Sequence, residues 1–550
     1  MTPPSHSAVL STLDGEGWRS LLSVLRDHAA KRPNHEAVID GATRLTYADL
    51  FARVEQAAAA FIASGVTKGD RVGIWAPNCH EWMIAAVGLA ACGGVLVPLN
   101  TRFKGAEALG ILKRSKATVL LTVRGFLGTD YPQLLRQAQS ATADGLPDLR
   151  EIVILRGEVD HDVAWTDFLA RASSVSPQAT DARHTTIRAD DTADILFTSG
   201  TTGQPKGAMF SHGQMFRAVG AIAELTGFDD TDRYLIIPPF FHSFGYRYGF
   251  VFTLLAGATA VLQEMLDTRQ LMQTIQDEKI TFLPGPPTLF HSILGDDMRG
   301  AFDLSSLRIT LVGAAKVPMQ LPNQLRTELP FKTIIIGYGL TESTGICTNT
   351  RRGDSDELIA TTSGRALPGV EVRIAGEDGT EQPTGASGEV WVRGFNVMQG
   401  YLDDPVQTAA SITPDGWLKT GDVGVLDARG YLRIIDRIKD MFIVGGFNAY
   451  PAEIEGLMLG NAKIEQVAVV GAPDERLGEI GAAFVKLRPS AQATAEEIIA
   501  WCREAMANYK APRIVEIVEE FPLNASGKVL KFALRERAAA LAAASKMQTS

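Results

Sequence analysis

Cysteine is scarce and scattered in this chain: Cys79, Cys92, Cys347 and Cys502 form no Cys-x-x-Cys pair. That excludes a disulfide framework and zinc-ligand spacing, and it fits a reducing cytoplasm. Positive charge is not in excess either. With 53 Lys and Arg against 63 Asp and Glu, the formal net charge of −10 argues against nucleic acid or an anionic membrane surface as partner. A polyanionic ligand would have to be held by cations placed locally against that field. The N-terminal stretch carries Asp14, Glu16, Arg19 and Arg26 among its apolar residues, so no signal peptide is expected. The run Trp82–Leu99 is uncharged and as long as a short membrane span, but Gly93-Gly94 and Pro98 interrupt it. It reads as a buried helix followed by a buried strand, and no membrane span is expected. Repeats of solenoid type are absent, and so is the Gly-x-x-x-x-Gly-Lys-[Ser/Thr] phosphate loop.

What is present is an alternation of strands and helices on a scale that one core cannot hold. A chain of 550 residues, 45% hydrophobic and 21% charged, predicts a globular enzyme of at least two domains. Residues 18–32 read as an amphipathic helix, Glu36–Asp40 as a strand, and Tyr47 to about Ser64 as a helix capped by Thr46. Strands at Arg71–Ala76, Val95–Pro98 and Ala117–Thr122 follow, with helices between them, which predicts a mainly parallel, doubly wound sheet. The stretch from about 140 to 190 is less regular and reads as a link to a second such sheet, with strands at Tyr234–Ile237, Thr259–Leu262, Thr281–Leu283, Ile309–Val312 and Thr333–Ile336. From about 365 to 435 the pattern shortens into β-rich pieces such as Glu389–Arg393. A last unit has strands at Val467–Val470 and Ala482–Leu487, and helices at Ala495–Met506 and Lys528–Ala544. The fold expected is α/β: a large N-terminal domain of two doubly wound sheets plus a β-rich subdomain over 1–437, and a small α+β C-terminal domain over 438–550.

Six segments carry candidate chemistry. Between a buried strand ending at Phe197 and a helix starting at Ser211 lies Phe197-Thr198-Ser199-Gly200-Thr201-Thr202-Gly203-Gln204-Pro205-Lys206-Gly207. Its glycines let backbone approach a ligand closely, its hydroxyls donate, and Lys206 adds a mobile point charge, a combination suited to phosphate oxygens. In Ile336-Gly337-Tyr338-Gly339-Leu340-Thr341-Glu342 the Tyr, free of neighbouring side chains, can lie flat on a planar base, and Glu342 is a hard oxygen ligand suited to Mg²⁺. Pro239-Phe240-Phe241-His242-Ser243-Phe244-Gly245 sets a histidine among aromatics. In Thr420-Gly421-Asp422 a carboxylate after a tight turn can bind vicinal hydroxyls. Asp436-Arg437-Ile438-Lys439-Asp440 leads into Gly445-Gly446-Phe447-Asn448, and Asn524-Ala525-Ser526-Gly527-Lys528 opens the last helix. Taken singly, each also fits an ordinary turn, a core histidine or a capped helix start.

In this order and at these distances, from about residue 20 to 540, they resemble the adenylate-forming superfamily of acyl-CoA synthetases, adenylation domains and firefly-type luciferases. The resemblance implies two half-reactions: a carboxylate attacks the α-phosphate of Mg·ATP to give acyl-AMP and pyrophosphate, and a thiol, here that of coenzyme A, displaces AMP. It implies that Ser199, Thr201, Thr202 and Lys206 hold the β- and γ-phosphates, with Thr198, Gly200 and Gly203 in the same nucleotide-binding loop. Gly337, Tyr338 and Gly339 would pack on adenine, with Gly313, Ala314 and Ala315 along its edge. Thr341 would touch the α-phosphate, Glu342 would bind Mg²⁺, and Asp422 and Arg437 would grip the ribose. Lys528 would bridge the incoming carboxylate and the α-phosphate. Rotation of the small domain about Lys439 would then withdraw Lys528 and bring Gly445, Gly446 and Phe447 to the thiol tunnel. His242 would line the acyl pocket, with Phe241–Tyr248, Val312–Ala314, Tyr338–Gly339 and Gly345–Ile346 as its walls and Arg247 as the unusual charge. Such a lining suits a bulky hydrophobic acid. The wording around these motifs is similar to actinobacterial ligases that activate the indane-propanoate left from steroid ring breakdown, with medium-chain fatty acid ligases and carrier-loading adenylation enzymes as alternatives. A small-molecule carboxylic acid is the expected partner; the oligomeric state is left open, a homodimer among the options.

Overall fold

The computed structural model describes residues 19–142, 145–198, 205–313, 317–444, 447–523 and 529–547. Chain contacts divide it into two compact units, Met1–Val372 with Val392–Leu418, and Arg373–Trp391 with Lys419–Ser550. It is an α/β protein with a large N-terminal part and a small C-terminal part.

In the first unit, β1 (Glu36–Asp40) and β2 (Thr43–Thr46) form a hairpin that leads into the helix Tyr47–Ala63. That helix starts at Thr46 because a reciprocal cap satisfies its first turn: Asp49 N donates to Thr46 Oγ1 at 3.1 Å, and Thr46 N donates to Asp49 Oδ2 at 3.0 Å. Next come β3 (Arg71–Trp75), β4 (Val95–Pro98), β5 (Val119–Phe126), β6 (Glu151–Arg156), β7 (Thr192–Thr198) and β8 (Lys206–Ser211). They lie in the order β8-β7-β4-β3-β5-β6, parallel from β7 to β6, with β8 antiparallel to β7. The short strand Gly400–Tyr401 adds to the outer edge of β8. The uncharged run is a buried helix, His80–Ala91, followed by β4. Trp82 is fully enclosed against Phe240, Tyr246 and Phe250, so its truncation to Ala would cost about 3–5 kcal/mol. No described helix is long and apolar enough to cross a membrane.

The second wound sheet contains β9 (Arg233–Ile236), β10 (Thr259–Leu262), β11 (Ile309–Val312), β12 (Thr333–Tyr338) and β13 (Thr348–Asn349). β1 joins it, parallel to β10, so this sheet begins near the N-terminus and not after the glycine-rich loop. The expected strand Thr281–Leu283 narrows to Phe282, which bridges Tyr234 on one side and Ile309 on the other. The core on this sheet is aliphatic, with Leu235, Val261, Ile275, Val312 and Ile334 among its buried members. The segment 140–190 is more than a link: β6 and the short strand Val163–Ala164 parallel to it extend the first sheet, and Pro177–His184 is a helix capped by Ser176.

The second unit holds an antiparallel hairpin, β14 (Leu418–Leu426) with β15 (Leu432–Arg437), and a sheet made of Phe442–Val444, Phe447–Ala449, Ile464–Asp474, Gly478–Leu487 and Ile514–Ile517. Alternation along Ile464–Asp474 serves both faces of that sheet. Val469 enters the cluster with Ile454 and Ile498, while Ala468 and Val470 enter the cluster with Phe521 and Leu534 of the terminal helix Lys531–Met547.

Candidate active site

β12 ends at Tyr338, and the chain then turns so tightly that a Cβ on Gly339 would lie 2.4 Å from the backbone of Ile346; only glycine fits there. The one-turn helix Thr341–Ser343 follows, with Leu340 N donating to Ser343 Oγ at 3.1 Å. Thr344 and Gly345 then adopt left-handed conformations, φ 59° and 97°, which turn the chain back along β12 as β13. The result projects Glu342 from a rigid corner. Met398 N donates to its carbonyl at 2.9 Å, and the Tyr401 hydroxyl donates to Oε1 at 2.9 Å. Among the described residues no cation pairs with Glu342, so a hard, half-buried carboxylate remains for a divalent ion. The donor type fits Mg²⁺.

Lys206 opens β8, directly opposite Thr198 at the end of β7. Its ammonium donates to Gln407 Oε1 at 2.6 Å and sits 5.2 Å from the centre of the Tyr401 ring. Tyr401 thus stands between the two charged groups, with its face to the cation and its hydroxyl to the carboxylate. Burial, and after it the Glu342 charge, raise its pKa, so it stays a neutral donor. Tyr401 and Gln407 are the members of this site that the sequence reading missed. The available signal was Gly400-Tyr401, an aromatic after a glycine at the end of the β-rich pieces.

Gly313 ends β11 and donates its N–H to Gly285 O at 3.3 Å, with open space where a side chain would be. Gly337 lies opposite Asn349, whose amide leaves no room for a Cβ. His242 accepts from Phe244 N at 3.2 Å. It is open to solvent-accessible space yet crowded by protein atoms; that crowding, then the Arg247 charge, lower its pKa, so it is neutral at pH 7. Arg247 is not an open pocket charge as expected. It is fully enclosed and ion-paired with Asp194, which is equally enclosed. The expectations for Ser199, Gly200, Thr201, Thr202, Gly203, Ala314, Ala315, Gly445, Gly446 and Lys528 fall outside the described residues.

In the second unit, hairpin register puts Asp422 opposite Arg437, and Arg437 Nε donates to Asp422 Oδ1 at 3.0 Å. Asp422 is 3% exposed. The turn ahead of it is fixed by Gly421 N donating to Glu389 Oε1 at 2.9 Å and by Thr420 Oγ1 donating to Val390 O at 2.7 Å. Lys439 is exposed, and its carbonyl accepts from Arg535 Nη2 at 2.8 Å. Phe447 begins a strand paired with Phe442–Val444.

A family model described as AMP-binding enzyme matches residues 25–402, and its companion, the AMP-binding enzyme C-terminal domain, matches 453–528. The chain belongs to the AMP-binding enzyme family. It is 45% identical over 516 residues to the 3-[(3aS,4S,7aS)-7a-methyl-1,5-dioxo-octahydro-1H-inden-4-yl]propanoyl:CoA ligase of Rhodococcus jostii strain RHA1, covering 94% of this chain and 98% of the relative. The Mycobacterium tuberculosis ligase of the same name is 44% identical, with 92% and 96% covered. Among solved structures, the anthranilate CoA ligase AuaEII in complex with anthranoyl-AMP superposes with a TM-score of 0.84 at 26% identity, covering 97% of this chain and 99% of that one. As an AMP-binding enzyme of this kind, the chain is an AMP-forming acyl-CoA ligase: ATP and coenzyme A are its co-substrates and a small carboxylic acid is its substrate.

Proposed function

We propose that the acid is an indane-propanoate carrying ring ketones, of the kind named for the two bacterial ligases above. The observation that carries this reading is the difference in likeness. Identity is 45% and 44% to those two ligases, against 33% over 549 residues to a zebrafish medium-chain acyl-CoA ligase that covers as much of the chain. The aromatic and apolar residues around His242 and Gly345 support a bulky hydrophobic acid.

In the proposed mechanism, Lys206 and the hydroxyls of the β7–β8 turn hold the terminal phosphates, and Tyr338 lies against adenine. Asp422, oriented by Arg437, accepts from the ribose hydroxyls. Mg²⁺, held by Glu342, would offset phosphate charge. The acid's carboxylate oxygen attacks the α-phosphorus, and the bond to pyrophosphate breaks. Lys528 spans the two reacting anions, and one unit charge at ~4 Å contributes about 4 kcal/mol in a partly screened site. After the small domain turns at Lys439, the thiol sulfur of coenzyme A attacks the acyl carbon and AMP leaves. A neutral His242 leaves room for the acyl chain without adding a second cation.

The test is a coenzyme A consumption panel of keto-indane propanoates against C6–C12 fatty acids. Higher kcat/KM for the indane acids is expected, and preference for linear chains would end the steroid reading. Preference for a carrier protein's pantetheine thiol over free coenzyme A would favour the carrier-loading alternative.

A further inference from the structure

The buried pair Asp194–Arg247 is costly as a structural feature. Both side chains have zero exposure, yet Arg247 Nε and Nη1 have no hydrogen-bond partner among the described residues, and beyond Arg247 the Tyr246 hydroxyl lies beside the Asp194 carboxylate. An ion pair so poorly satisfied contributes little net stability, because desolvation offsets the Coulomb gain. Its position shows what else it does. Asp194 on β7 and Phe210 on β8 are cross-strand partners. Arg247 holds both: its Nη2 donates to Asp194 Oδ1, and its guanidinium lies 4.1 Å from the centre of the Phe210 ring. It therefore clamps the two strands that end at Thr198 and Lys206.

Arg247 belongs to a π-helical segment, Tyr246–Val251, five residues beyond His242. Such segments are infrequent and concentrate at functional sites. The next residue, Tyr248, donates its hydroxyl to Thr344 O at 3.3 Å, two residues from Glu342. Gly345 packs so closely that a Cβ would meet Ser243 Oγ, just ahead of this segment, at 2.7 Å and the Tyr248 ring within it at 3.3 Å. One turn of helix on the acid side thus grips both phosphate-side segments, through Arg247 on β7–β8 and through Tyr248 on the Glu342 corner.

We infer that Arg247 is a positioning residue that couples the two substrate sites: acid seated beside His242 and Tyr248 fixes the π-helical turn, and Arg247 passes that order to the β7–β8 strands carrying Lys206, so acid and ATP bind synergistically. The inference rests on the assignment of the acid and phosphate sites proposed above. Coupling of this kind is reciprocal and typically 5–150-fold.

The experiment measures by calorimetry the Kd of α,β-methylene-ATP with Mg²⁺, with and without saturating acid, using whichever of keto-indane propanoate and decanoate the coenzyme A panel selects. Wild type is expected to bind the analogue at least about 5-fold tighter with acid present. The double variant D194L/R247M removes both charges together and so avoids stranding one in the interior. Its acid effect is expected to fall to within about 2-fold of none, and R247K, which keeps the charge but loses the planar fork, is expected to fall between. A wild-type ratio near 1, or a folded double variant with the wild-type ratio, overturns the coupling. Should the double variant not fold, R247K decides, and an undiminished ratio there overturns it. Failure of wild type to bind the analogue at all would sink the nucleotide-site assignment itself, which is a separate result.

Discussion

Two pairs of charged residues, one in each compact unit, are the proposed nucleotide ligands, and they are built in opposite ways. Lys206 and Glu342 come from distant strands and do not pair with each other; Tyr401 separates them, ring to the ammonium and hydroxyl to the carboxylate. Asp422 and Arg437 face each other across one hairpin and are ion-paired at 3.0 Å. The difference matches what each is proposed to bind. Phosphates and a divalent ion need charges left uncompensated until the ligand arrives, because a pre-formed pair would have to be broken first. Ribose hydroxyls are neutral, so a carboxylate already oriented by a cation can accept from them at little electrostatic cost.

The largest effect belongs to Lys528, which on this reading supplies charge only in the first half-reaction. Lys528→Ala should lower pyrophosphate exchange by roughly 10²–10³-fold while transfer from supplied acyl-adenylate to coenzyme A survives; equal loss of both steps would remove that role. Acid should next separate the two units. His212 in the first unit is buried, and its pKa is lowered to about 4, by burial first and against the pull of Asp191. The folded state therefore binds fewer protons than the unfolded one between about pH 6.5 and 4, and stability falls as pH falls through that window, by about 3 kcal/mol in all. In the second unit, burial raises Glu455 and Asp436 above the ordinary carboxylate range. There the folded state binds more protons, so these groups favour folding as pH falls. Hydrogen exchange followed from pH 7 to 4.5 should show helix His212–Thr226 losing protection before Ile464–Asp474; the reverse order would contradict this.

Smaller effects test the pairs directly. Asp422→Asn keeps the shape and removes the charge, and should raise the KM for ATP by about 10-fold with Mg²⁺ dependence unchanged. Tyr401→Phe keeps the ring under Lys206 and removes one donor to Glu342. It should cost about 1 kcal/mol, a few-fold in adenylation, and shift the Mg²⁺ needed for half-maximal rate. A Tyr401→Phe enzyme with an altered KM for the acid alone would show that Tyr401 does not serve the metal side.

Much of this was legible in the sequence because the signals are local. Thr46 with Asp49, and Ser211 with Gln214, announce helix starts within four residues, and the Gly-Tyr-Gly corner carries its own steric logic. Asp422 and Arg437 stand out in the sequence through their own short motifs, Thr-Gly-Asp and Asp-Arg-Ile-Lys-Asp, whereas their pairing across one hairpin is disclosed by the structure. What stayed hidden depends on distant pairing. Glu151–Arg156 reads as part of an irregular stretch because a parallel strand needs no alternation. Tyr401 carries no local signal of its role, because its strand partner Ala208 lies far back in the chain. Arg247 reads as a pocket charge because nothing near it in sequence discloses Asp194, 53 residues earlier.

In the proposed mechanism the acid's own oxygen attacks the α-phosphorus of ATP before any thiol enters. Turnover of acid labelled with ¹⁸O in both carboxylate positions, with ATP, Mg²⁺ and coenzyme A, tests it by mass spectrometry of the products. The account predicts one ¹⁸O in AMP and none in pyrophosphate; unlabelled AMP, or label in a phosphate released from the β–γ end, would contradict it.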